Sequence, residues 1–215
     1  MLSVHALECV RGERRLFANL GFTLTPHMLL AVRGANGSGK TSLLRMLCGL
    51  LAPAAGSITW NGRDIHSSRE EYCAQIAYIG HLNGVKDDLS ALENLRFAAR
   101  TAGLPDNAGG AEAALRQLGL DGFQHQPCKT LSQGQRRRVS LARLCLSATR
   151  PLWVLDEPFT ALDANAFALT RALLESHLQQ GGMAVLTTHQ DAAITAQSMQ
   201  RIELGTCRTQ VRQVP

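Results

Sequence analysis

Apolar residues in the first third of the chain fall in short runs separated by turn residues, a pattern typical of β-strands. It predicts strands at Gly21–Thr25 and Met28–Arg33, joined by a turn that contains a proline. An Asn-Gly pair at positions 61–62 supplies two residues that readily take positive φ, as a tight hairpin turn requires. The segments on either side, Ile58–Trp60 and Arg63–Ile65, are therefore expected to pair.

Apolar residues elsewhere recur every three to four positions, which predicts amphipathic helices. These helices are expected at Lys40–Gly49, Ala91–Ala99, Ala111–Leu118 and Gln133–Leu146. The segment Leu104–Gly110 is rich in turn residues and predicts a loop.

The last third of the chain returns to a strand–helix–strand order. Its apolar runs, Leu152–Leu155 and Met183–Thr187, are short, as expected for parallel strands covered on both faces. Between them, Ala164–Gln180 is predicted as a helix ended by two glycines, and the chain finishes soon after the last predicted strand. These elements predict one α/β domain over residues 1–215, with a core lobe at about 1–85 and 151–215 and an inserted helical lobe at about 86–150.

Composition agrees with a single domain that has an aliphatic core. The chain is 45% hydrophobic but only 5% aromatic, and no apolar run approaches the ~20 residues that span a bilayer. The first fifteen residues lack the apolar region and cleavage site of a signal peptide, so we expect the protein to stay in the cytoplasm.

The net charge and the positions of histidine and cysteine residues exclude few classes of function. The net charge of +5 is spread along the chain without interleaved aromatic residues, so no nucleic-acid partner is expected. Histidines and cysteines show no zinc spacing, and no structural metal is expected. In a reducing compartment the six cysteines are expected to be free thiols: Cys9, Cys48, Cys73, Cys128, Cys145 and Cys207.

The most specific single motif is GANGSGKT, which fits the phosphate-binding pattern G-x-x-x-x-G-K-[ST]. An apolar strand precedes it and an amphipathic helix follows, so its backbone N–H groups should face phosphate oxygens. Lys40 should reach the β- and γ-phosphates of a nucleotide, and Thr41 should ligate Mg²⁺. A structural glycine-rich turn is the alternative. Predicted nucleotide contacts are Gly34, Ala35, Asn36, Gly37, Ser38, Gly39, Lys40, Thr41 and Ser42.

Two adjacent carboxylates end the apolar strand of PLWVLDEP. Asp156 is placed to hold Mg²⁺, directly or through water, and Glu157 to polarise an attacking water. A helix-capping aspartate beside a solvated glutamate is the alternative, and the phosphate-binding motif in the same chain disfavours it.

A third motif, LSQGQ, opens the helix that continues RRRVSLARL. It resembles the signature of ABC ATPases, usually LSGGQ, and the resemblance covers essentially the whole chain. The family implies an α/β P-loop core of ABC type with an N-terminal antiparallel β subdomain and a helical insertion. It also implies a head-to-tail dimer, in which Ser132, Gly134 and Gln135 of one copy cover the γ-phosphate held by the other.

Further motifs follow in the family's order. Ala161-Leu162-Asp163 is similar to the D-loop, so Asp163 is expected beside the nucleotide of the opposite subunit. His189 is similar to the histidine that contacts the γ-phosphate. The run at 136–138 contains three arginines that point in different directions on a helix. We interpret it as a solvated helix face that can also make interface contacts, rather than a nucleic-acid patch.

Two positions depart from the usual family pattern. His81 stands where a glutamine normally contacts Mg²⁺ or the attacking water, and a neutral imidazole can accept one such bond. Arg11 stands where an aromatic residue often stacks on adenine, and a guanidinium plane can also stack.

With these departures, the segments GHLNGVKDDLSALENL, LDEPFTALD and LTTHQ resemble one subfamily, the ATP-binding subunits of cytochrome c maturation complexes, often called haem exporters. This resemblance implies integral membrane partners and peripheral attachment to the cytoplasmic face of a bacterial inner membrane. It implies that ATP hydrolysis drives haem export or the release of a haem-loaded carrier.

Three other functions remain open from the sequence. An ABC transporter subunit for another substrate would share every motif. A soluble ABC ATPase of translation or DNA repair usually has two cassettes or a long coiled coil, and this chain has neither. A catalytically silent nucleotide-binding module is disfavoured because Lys40, Asp156, Glu157 and His189 are all present.

Overall fold

The structure is a computed structural model that describes residues 1–104, 109–188 and 193–205, and the backbone of 210–214. It divides into two compact units. The first comprises Met1–Tyr78, Arg150–Glu157 and Glu175–Pro215, and the second comprises Ile79–Thr149 and Pro158–Leu174. Within the described residues, no helix is both long and apolar enough to cross a bilayer.

The strands are numbered in chain order as β1 (Leu2–Arg11), β2 (Arg14–Leu24), β3 (Met28–Gly34), β4 (Ala55–Trp60), β5 (Arg63–Asp64), β6 (Ile76–Ile79), β7 (Leu152–Leu155), β8 (Met183–Thr187), β9 (Ser198–Leu204) and β10 (Gln210–Val214). The helices are α1 (Lys40–Leu47), α2 (Arg69–Ala74), α3 (Ala91–Thr101), α4 (Gly110–Gln117), α5 (Gln133–Leu146) and α6 (Ala164–Gln179).

A four-stranded antiparallel sheet with the order β2-β1-β4-β5 contains the first strands of the chain. The predicted hairpin is confirmed: Trp60 pairs with Arg63, and both residues of the turn, Asn61 and Gly62, have positive φ. Of the eleven residues of β2, only the last four, Gly21–Leu24, were predicted. Strand β1 was missed altogether, since its register shifts interrupt the alternation of apolar and polar residues.

A six-stranded sheet with the order β10-β9-β3-β8-β7-β6 supplies the frame of the candidate site. Strand β3 is parallel to both β8 and β9, and β7 is parallel to β8. The carboxyl ends of β3, β8 and β7 therefore lie side by side at one edge, which is where parallel sheets present ligand sites. Strands β9 and β10 follow β8, so the prediction that β8 is the last strand was wrong.

An aliphatic core fills the first unit between the two sheets and α1. Leu2 and Leu7 of β1, Leu43 and Leu44 of α1, and Val185 of β8 are among its buried members. Burial of large aliphatic side chains contributes roughly 1.5–3 kcal/mol each, which makes this core the main support of the sheet edge.

Helices α3, α4 and α5 belong to the second unit and pack on one another. A buried amide ties the start of this unit together: the Asn94 side chain donates to the carbonyl oxygens of Lys86, Leu89 and Ser90 and accepts from the Lys86 N–H. The predicted helices at 91–99, 111–118 and 133–146 are confirmed, with ends that differ by at most two residues. Part of the predicted loop at 104–110 lies outside the described residues.

Candidate functional site

The glycine-rich loop that follows β3 makes a close-packed turn into α1. A Cβ on Gly34, which has φ of 144°, would stand 2.5 Å from the Leu204 carbonyl oxygen and 2.6 Å from the Ser38 hydroxyl oxygen. Only glycine fits this position without moving backbone. The loop backbone is therefore held against β9 at the edge of the sheet.

The amino end of α1 is not capped by any side chain that the structure describes. Its N-cap is Gly39, which offers no capping side chain, and its first turn holds no acidic residue. The first N–H groups of a helix have no partner within the helix and attract anions. Helices α3 and α5 differ, since each has a capping box at its start.

Within the same loop, Ser38 is 7% exposed and its hydroxyl oxygen has no hydrogen-bond partner among the described residues. Ala35, Asn36 and Gly37 are exposed and form the rim. An unpaired buried hydroxyl beside an uncapped helix start fits a site built for oxygen atoms of a phosphate.

Lys40 points its ammonium group back into this loop. Its side chain is 7% exposed, and Nζ donates to the carbonyl oxygens of Gly34 at 2.8 Å and Ala35 at 3.3 Å. Both acceptors are neutral, and no carboxylate of the residues that the structure describes forms an ion pair with Lys40. Ser42 lies half-buried on α1; burial raises the pKa of the Cys9 thiol, and a hydrogen bond with Ser42 opposes that rise.

A chain of hydrogen bonds joins α1, β7 and β8 at the sheet edge. The Thr41 hydroxyl donates to Asp156 Oδ2 at 2.8 Å, and the Thr187 hydroxyl donates to Asp156 Oδ1 at 2.7 Å. Thr187 also accepts the N–H of Glu157 at 2.8 Å. Asp156 is 2% exposed and Thr187 is fully buried, so this network is part of the core of the first unit.

Glu157 takes an uncommon backbone conformation, with φ of 49°. A residue with a Cβ seldom adopts the left-handed region, and such strain is found chiefly where the surrounding structure imposes it. Its side chain is half-buried, next to the buried Asp156. The two adjacent carboxylates thus have different surroundings, one inside the hydrogen-bond network and one facing partly outward.

The LSQGQ motif starts α5 in the second unit. Ser132 Oγ accepts the N–H of Gln135 at 3.2 Å, and Gln135 Oε1 accepts the N–H of Ser132 at 2.8 Å, which forms a capping box. Ser132 is exposed, and its hydroxyl hydrogen remains available to a ligand. Position 134 favours glycine for a steric reason, because a Cβ there would stand 2.8 Å from the Ala161 carbonyl oxygen.

Asp163 begins α6 in the same unit. Its Oδ1 accepts the N–H of Ala166 at 2.7 Å, as an N-cap aspartate does. The residue is exposed. One carboxylate oxygen is thus committed to the helix start.

The interpretation of the three arginines as a solvated face was wrong. Arg137 is 4% exposed and donates to the Gly80 carbonyl oxygen at 3.0 Å. Arg136 binds the Lys129 carbonyl oxygen, and Arg138 binds the Gly119 carbonyl oxygen. The three side chains do diverge, as expected for successive helix positions, but each reaches a backbone carbonyl because long stems can bury while the charged end is bonded.

Arg11 and His81 take no part in the hydrogen bonds described above. Arg11 ends β1 and is exposed, and His81 is exposed in the segment that follows β6. His189 lies outside the described residues, as does Cys207. The structure therefore brings together 34–42, Asp156 and Glu157 in the first unit, and holds Ser132, Gly134, Gln135, Asp163 and His81 in the second.

Sequence reasoning missed the contribution of Thr187. The signal was available: a hydroxyl residue ends the otherwise apolar run MAVLT, directly after four residues that are fully buried or nearly so. A polar side chain at the carboxyl end of a buried parallel strand faces the edge where ligand sites form.

Comparison with known proteins places these features in a family. Residues 17–160 match the sequence profile described as ABC transporter. The protein is also 52% identical over 198 residues to the cytochrome c biogenesis ATP-binding export protein CcmA of Nitrosospira multiformis, covering 92% of this chain and 96% of the relative.

The chain belongs to the ABC transporter family, in its group of cytochrome c biogenesis ATP-binding export proteins. Two other members of that group are similar to this chain at nearly the same sequence identity. The CcmA protein of Nitrosomonas europaea is 50% identical, covering 95% of this chain and 96% of its own, and that of Pseudomonas aeruginosa is 47% identical, covering 95% and 100%.

Solved structures of ABC ATP-binding domains have the same fold. An ATP-binding subunit of an ABC transporter superimposes with a TM-score of 0.86 at 25% identity, covering 99% of this chain and 90% of that one. A dimeric ATP-binding cassette in a post-hydrolysis state with bound ADP and Pi gives a TM-score of 0.83 at 20% identity, covering 100% and 99%. The predicted P-loop core of ABC type is thus confirmed.

Proposed function

We propose that this protein is the ATP-hydrolysing subunit of an ABC complex for cytochrome c biogenesis, in which hydrolysis drives haem export or release of a haem-loaded carrier. The observation that carries the proposal is the arrangement at the sheet edge. The uncapped helix start and Lys40 belong to α1, and the pair of carboxylates follows β7 at the same edge of the sheet. The similar proteins of Nitrosospira multiformis and Nitrosomonas europaea are named cytochrome c biogenesis ATP-binding export proteins, and these names indicate the process.

In this proposal the triphosphate of ATP lies against residues 34–42. Lys40 gives up its carbonyl acceptors for β- and γ-phosphate oxygens, which are charged and therefore stronger partners. The Ser38 hydroxyl and the first N–H groups of α1 take further oxygens. Arg11 and Ser42 complete the predicted contacts of the nucleotide.

Thr41 and Asp156 are the residues that would hold Mg²⁺. Both present oxygen atoms, the ligand type that this cation prefers, and they already lie within 2.8 Å of each other. When bound, Mg²⁺ supplies positive charge that neutralises phosphate oxygens. The Glu157 carboxylate polarises the attacking water, with His81 and His189 as further contacts of the water and the γ-phosphate.

The second unit contributes the cover of the site in a second copy of the chain. Its Ser132 hydroxyl, the α5 helix start at Gly134 and Gln135, and Asp163 face the nucleotide held by that copy's P-loop. Because ATP then contacts both copies, its binding stabilises the closed dimer by mass action. Loss of the γ-phosphate removes part of those contacts and reopens the dimer.

We further propose that the dimer works on integral membrane subunits at the cytoplasmic face of a bacterial inner membrane, and that its membrane association is peripheral, through those partners. Purification of the complex from membranes, with its partners identified by mass spectrometry, tests this. If the protein co-purifies with subunits of a transporter for another substrate, the assignment to cytochrome c biogenesis is wrong, whereas the assignment as an ATPase still holds.

The nucleotide site is tested first by Lys40→Ala. Removal of the ammonium group deletes a charged contact to the phosphates, and we expect affinity for ATP to fall at least about tenfold. Equilibrium binding of a fluorescent ATP analogue measures it. Lys129→Ala is the matched control, since Lys129 is exposed and pairs with Asp88 in the second unit. Unchanged affinity in the Lys40 variant would exclude the phosphate site.

Glu157→Gln tests the hydrolytic role separately. The amide keeps the shape of the side chain but loses the basic oxygen, so ATP binding should persist while turnover falls about 100-fold or more. Steady-state release of phosphate and nucleotide binding are measured on the same samples. Glu71→Gln, at an exposed carboxylate paired with Arg63, is the control. Wild-type turnover in Glu157→Gln would remove Glu157 from the proposed mechanism.

A further inference from the structure

We propose that Thr187 is a positioning residue for ATP hydrolysis, which sets the orientation of Asp156 and Glu157 through its single hydroxyl group. This inference rests on the proposed roles of those two carboxylates. Thr187 is the last residue of β8, and β8 lies between β3, which leads into the P-loop, and β7, which leads into the carboxylates.

The hydroxyl of Thr187 acts as both a donor and an acceptor at the site. It donates its hydrogen to Asp156 Oδ1 at 2.7 Å and accepts the backbone N–H of Glu157 at 2.8 Å. The side chain is 0% exposed, so water does not compete for either bond. A buried hydroxyl that satisfies a carboxylate and an amide is expensive to replace, because each partner then loses its bond in the core.

The first bond fixes the plane of the Asp156 carboxylate. Thr187 holds Oδ1 and Thr41 holds Oδ2, so the two oxygens are pinned from opposite elements, β8 and α1. Rotation of the carboxylate would break at least one of these bonds. Asp156 is thereby presented to its proposed cation in one orientation before any ligand arrives.

The second bond fixes the backbone from which the Glu157 side chain projects. Glu157 has φ of 49°, a conformation that residues with a Cβ rarely adopt. The N–H bond to Thr187 holds the peptide between Asp156 and Glu157 in place and so stabilises that strained geometry. The direction of the proposed water-polarising carboxylate therefore depends on the hydroxyl of a residue thirty positions later in the chain.

The shape of the side chain does not require a threonine. Valine has nearly the same shape as threonine, and the preceding residues of the strand, Ala184, Val185 and Leu186, are apolar and buried. What valine lacks is the hydroxyl. The requirement for threonine at 187 is therefore a requirement for its two hydrogen bonds.

The test compares Thr187→Val and Thr187→Ser. We expect Thr187→Val to lower kcat by roughly 10- to 100-fold, as small misplacements of catalytic groups do, while KM for ATP changes less than about threefold. Thr187→Ser keeps the hydroxyl and should restore kcat to within about threefold of wild type. Because Asp156 loses a fixed orientation, Thr187→Val should also need a higher Mg²⁺ concentration for half-maximal rate, whereas ATP binding in EDTA should be unchanged.

Thr170→Val is the matched control. Thr170 is 2% exposed, and its hydroxyl has no hydrogen-bond partner among the described residues, so the same replacement removes a buried hydroxyl without breaking a bond. Its kcat should equal that of wild type. Thermal unfolding of all variants identifies any that fail to fold. If Thr187→Val fails to fold, Thr187→Ser still tests the inference. A kcat for Thr187→Ser as low as that of an unfolded variant would overturn it.

The double variant Thr187→Val with Glu157→Gln separates positioning from general destabilisation. At a saturating Mg²⁺ concentration, which offsets the lost orientation of Asp156, the loss of Thr187 should lower kcat by less than about threefold once Glu157 is already replaced. A full further loss in that background, or wild-type kcat in Thr187→Val alone, overturns the inference. Wild-type turnover in Glu157→Gln alone would instead refute the proposed function at Glu157.

Discussion

Single residues at the sheet edge have roles that their polar environment makes visible. Lys40 is a charge held by neutral carbonyls, Ser38 an unpaired buried hydroxyl, and Asp156 a buried carboxylate between two hydroxyls. The sequence motifs predicted Lys40, Thr41 and Asp156 because their spacing is specific. Thr187 lies in the LTTHQ segment, but no role was predicted for it, and its contacts become visible only when the fold places β8 beside β7.

His177 shows that a buried histidine can serve stability rather than catalysis. Its ring stacks on Trp153 with 3.8 Å between centroids and an interplanar angle of 4°, and Nε2 lies 3.3 Å from the Met183 carbonyl oxygen. Burial lowers the pKa of His177 to about 4 from its usual 6.5, despite the opposing hydrogen bond to Met183. The folded protein therefore keeps this imidazole neutral well below neutral pH.

This predicts an acid-sensitive stability. A depressed pKa in the folded state means that the unfolded chain binds the proton first, so His177 leaves stability unaffected above about pH 6.5 and lowers it progressively toward pH 4. The loss should reach roughly 2 kcal/mol at pH 5.

Urea unfolding of wild type, His177→Phe and His66→Gln at pH 7 and pH 5 measures it. The His177 variant should lose about 2 kcal/mol less between the two pH values than wild type. His66 is exposed, and its replacement should leave the wild-type difference intact. Equal pH dependence in all three proteins would contradict the assigned burial of a neutral His177.

At the scale of elements, helices and strands with a regular spacing of apolar residues were predicted correctly, and strands with an irregular spacing were missed. Helix α5 was predicted at its observed bounds from the regular recurrence of its apolar residues, and the structure adds a capping box at the same start. Strand β1 was missed because its pairing with β2 shifts register near Ala6, which has φ of 46°, so apolar residues do not alternate. Strand β9 was missed because polar residues, among them the buried Gln200, interrupt its short pattern.

The site could be predicted only where chemistry is local in sequence. The P-loop and the DE pair are short contiguous motifs, and both were placed correctly at the ends of β3 and β7. The burial of Arg137 could not be predicted, since it depends on a backbone carbonyl 57 positions away. Helix periodicity indicates which way a side chain points but not what it meets there.

Arg137 therefore carries a prediction for the element it stabilises. Its guanidinium bonds the Gly80 carbonyl oxygen and the Asn83 side chain, which anchors the segment containing His81 to α5 within the second unit. Arg137→Met should leave these acceptors unpaired and reduce the free energy of unfolding by about 1–3 kcal/mol.

Denaturant unfolding at pH 7 measures that change. Arg116→Met is the control. Arg116 Nε lies 3.8 Å from Asp121 Oδ1, both side chains are largely exposed, and such pairs contribute about 0–1 kcal/mol to the free energy of unfolding. A loss for Arg137→Met no larger than that for Arg116→Met would show that the buried contacts of α5 do not hold the segment.

At the scale of the whole molecule, the chain separates two sets of functional residues into different compact units. The P-loop and the carboxylates belong to the first, and the signature motif at the start of α5 belongs to the second. The first set has its own hydrogen-bond network, whereas Ser132 and Gln135 satisfy each other in a capping box and leave one exposed hydroxyl. The proposed function assigns these residues to the nucleotide held by another copy of the chain.

Complementation between two inactive variants tests that central claim most directly. Lys40→Ala removes the P-loop ammonium group, and Ser132→Arg places a bulky side chain at the start of the signature helix. Each pure protein should therefore lack ATPase activity. If the sites form between copies, an equimolar mixture contains dimers with one intact site, made from the P-loop of one variant and the signature of the other. Random pairing then predicts roughly a quarter of the wild-type rate in the mixture. A mixture as inactive as its two components would contradict the shared site.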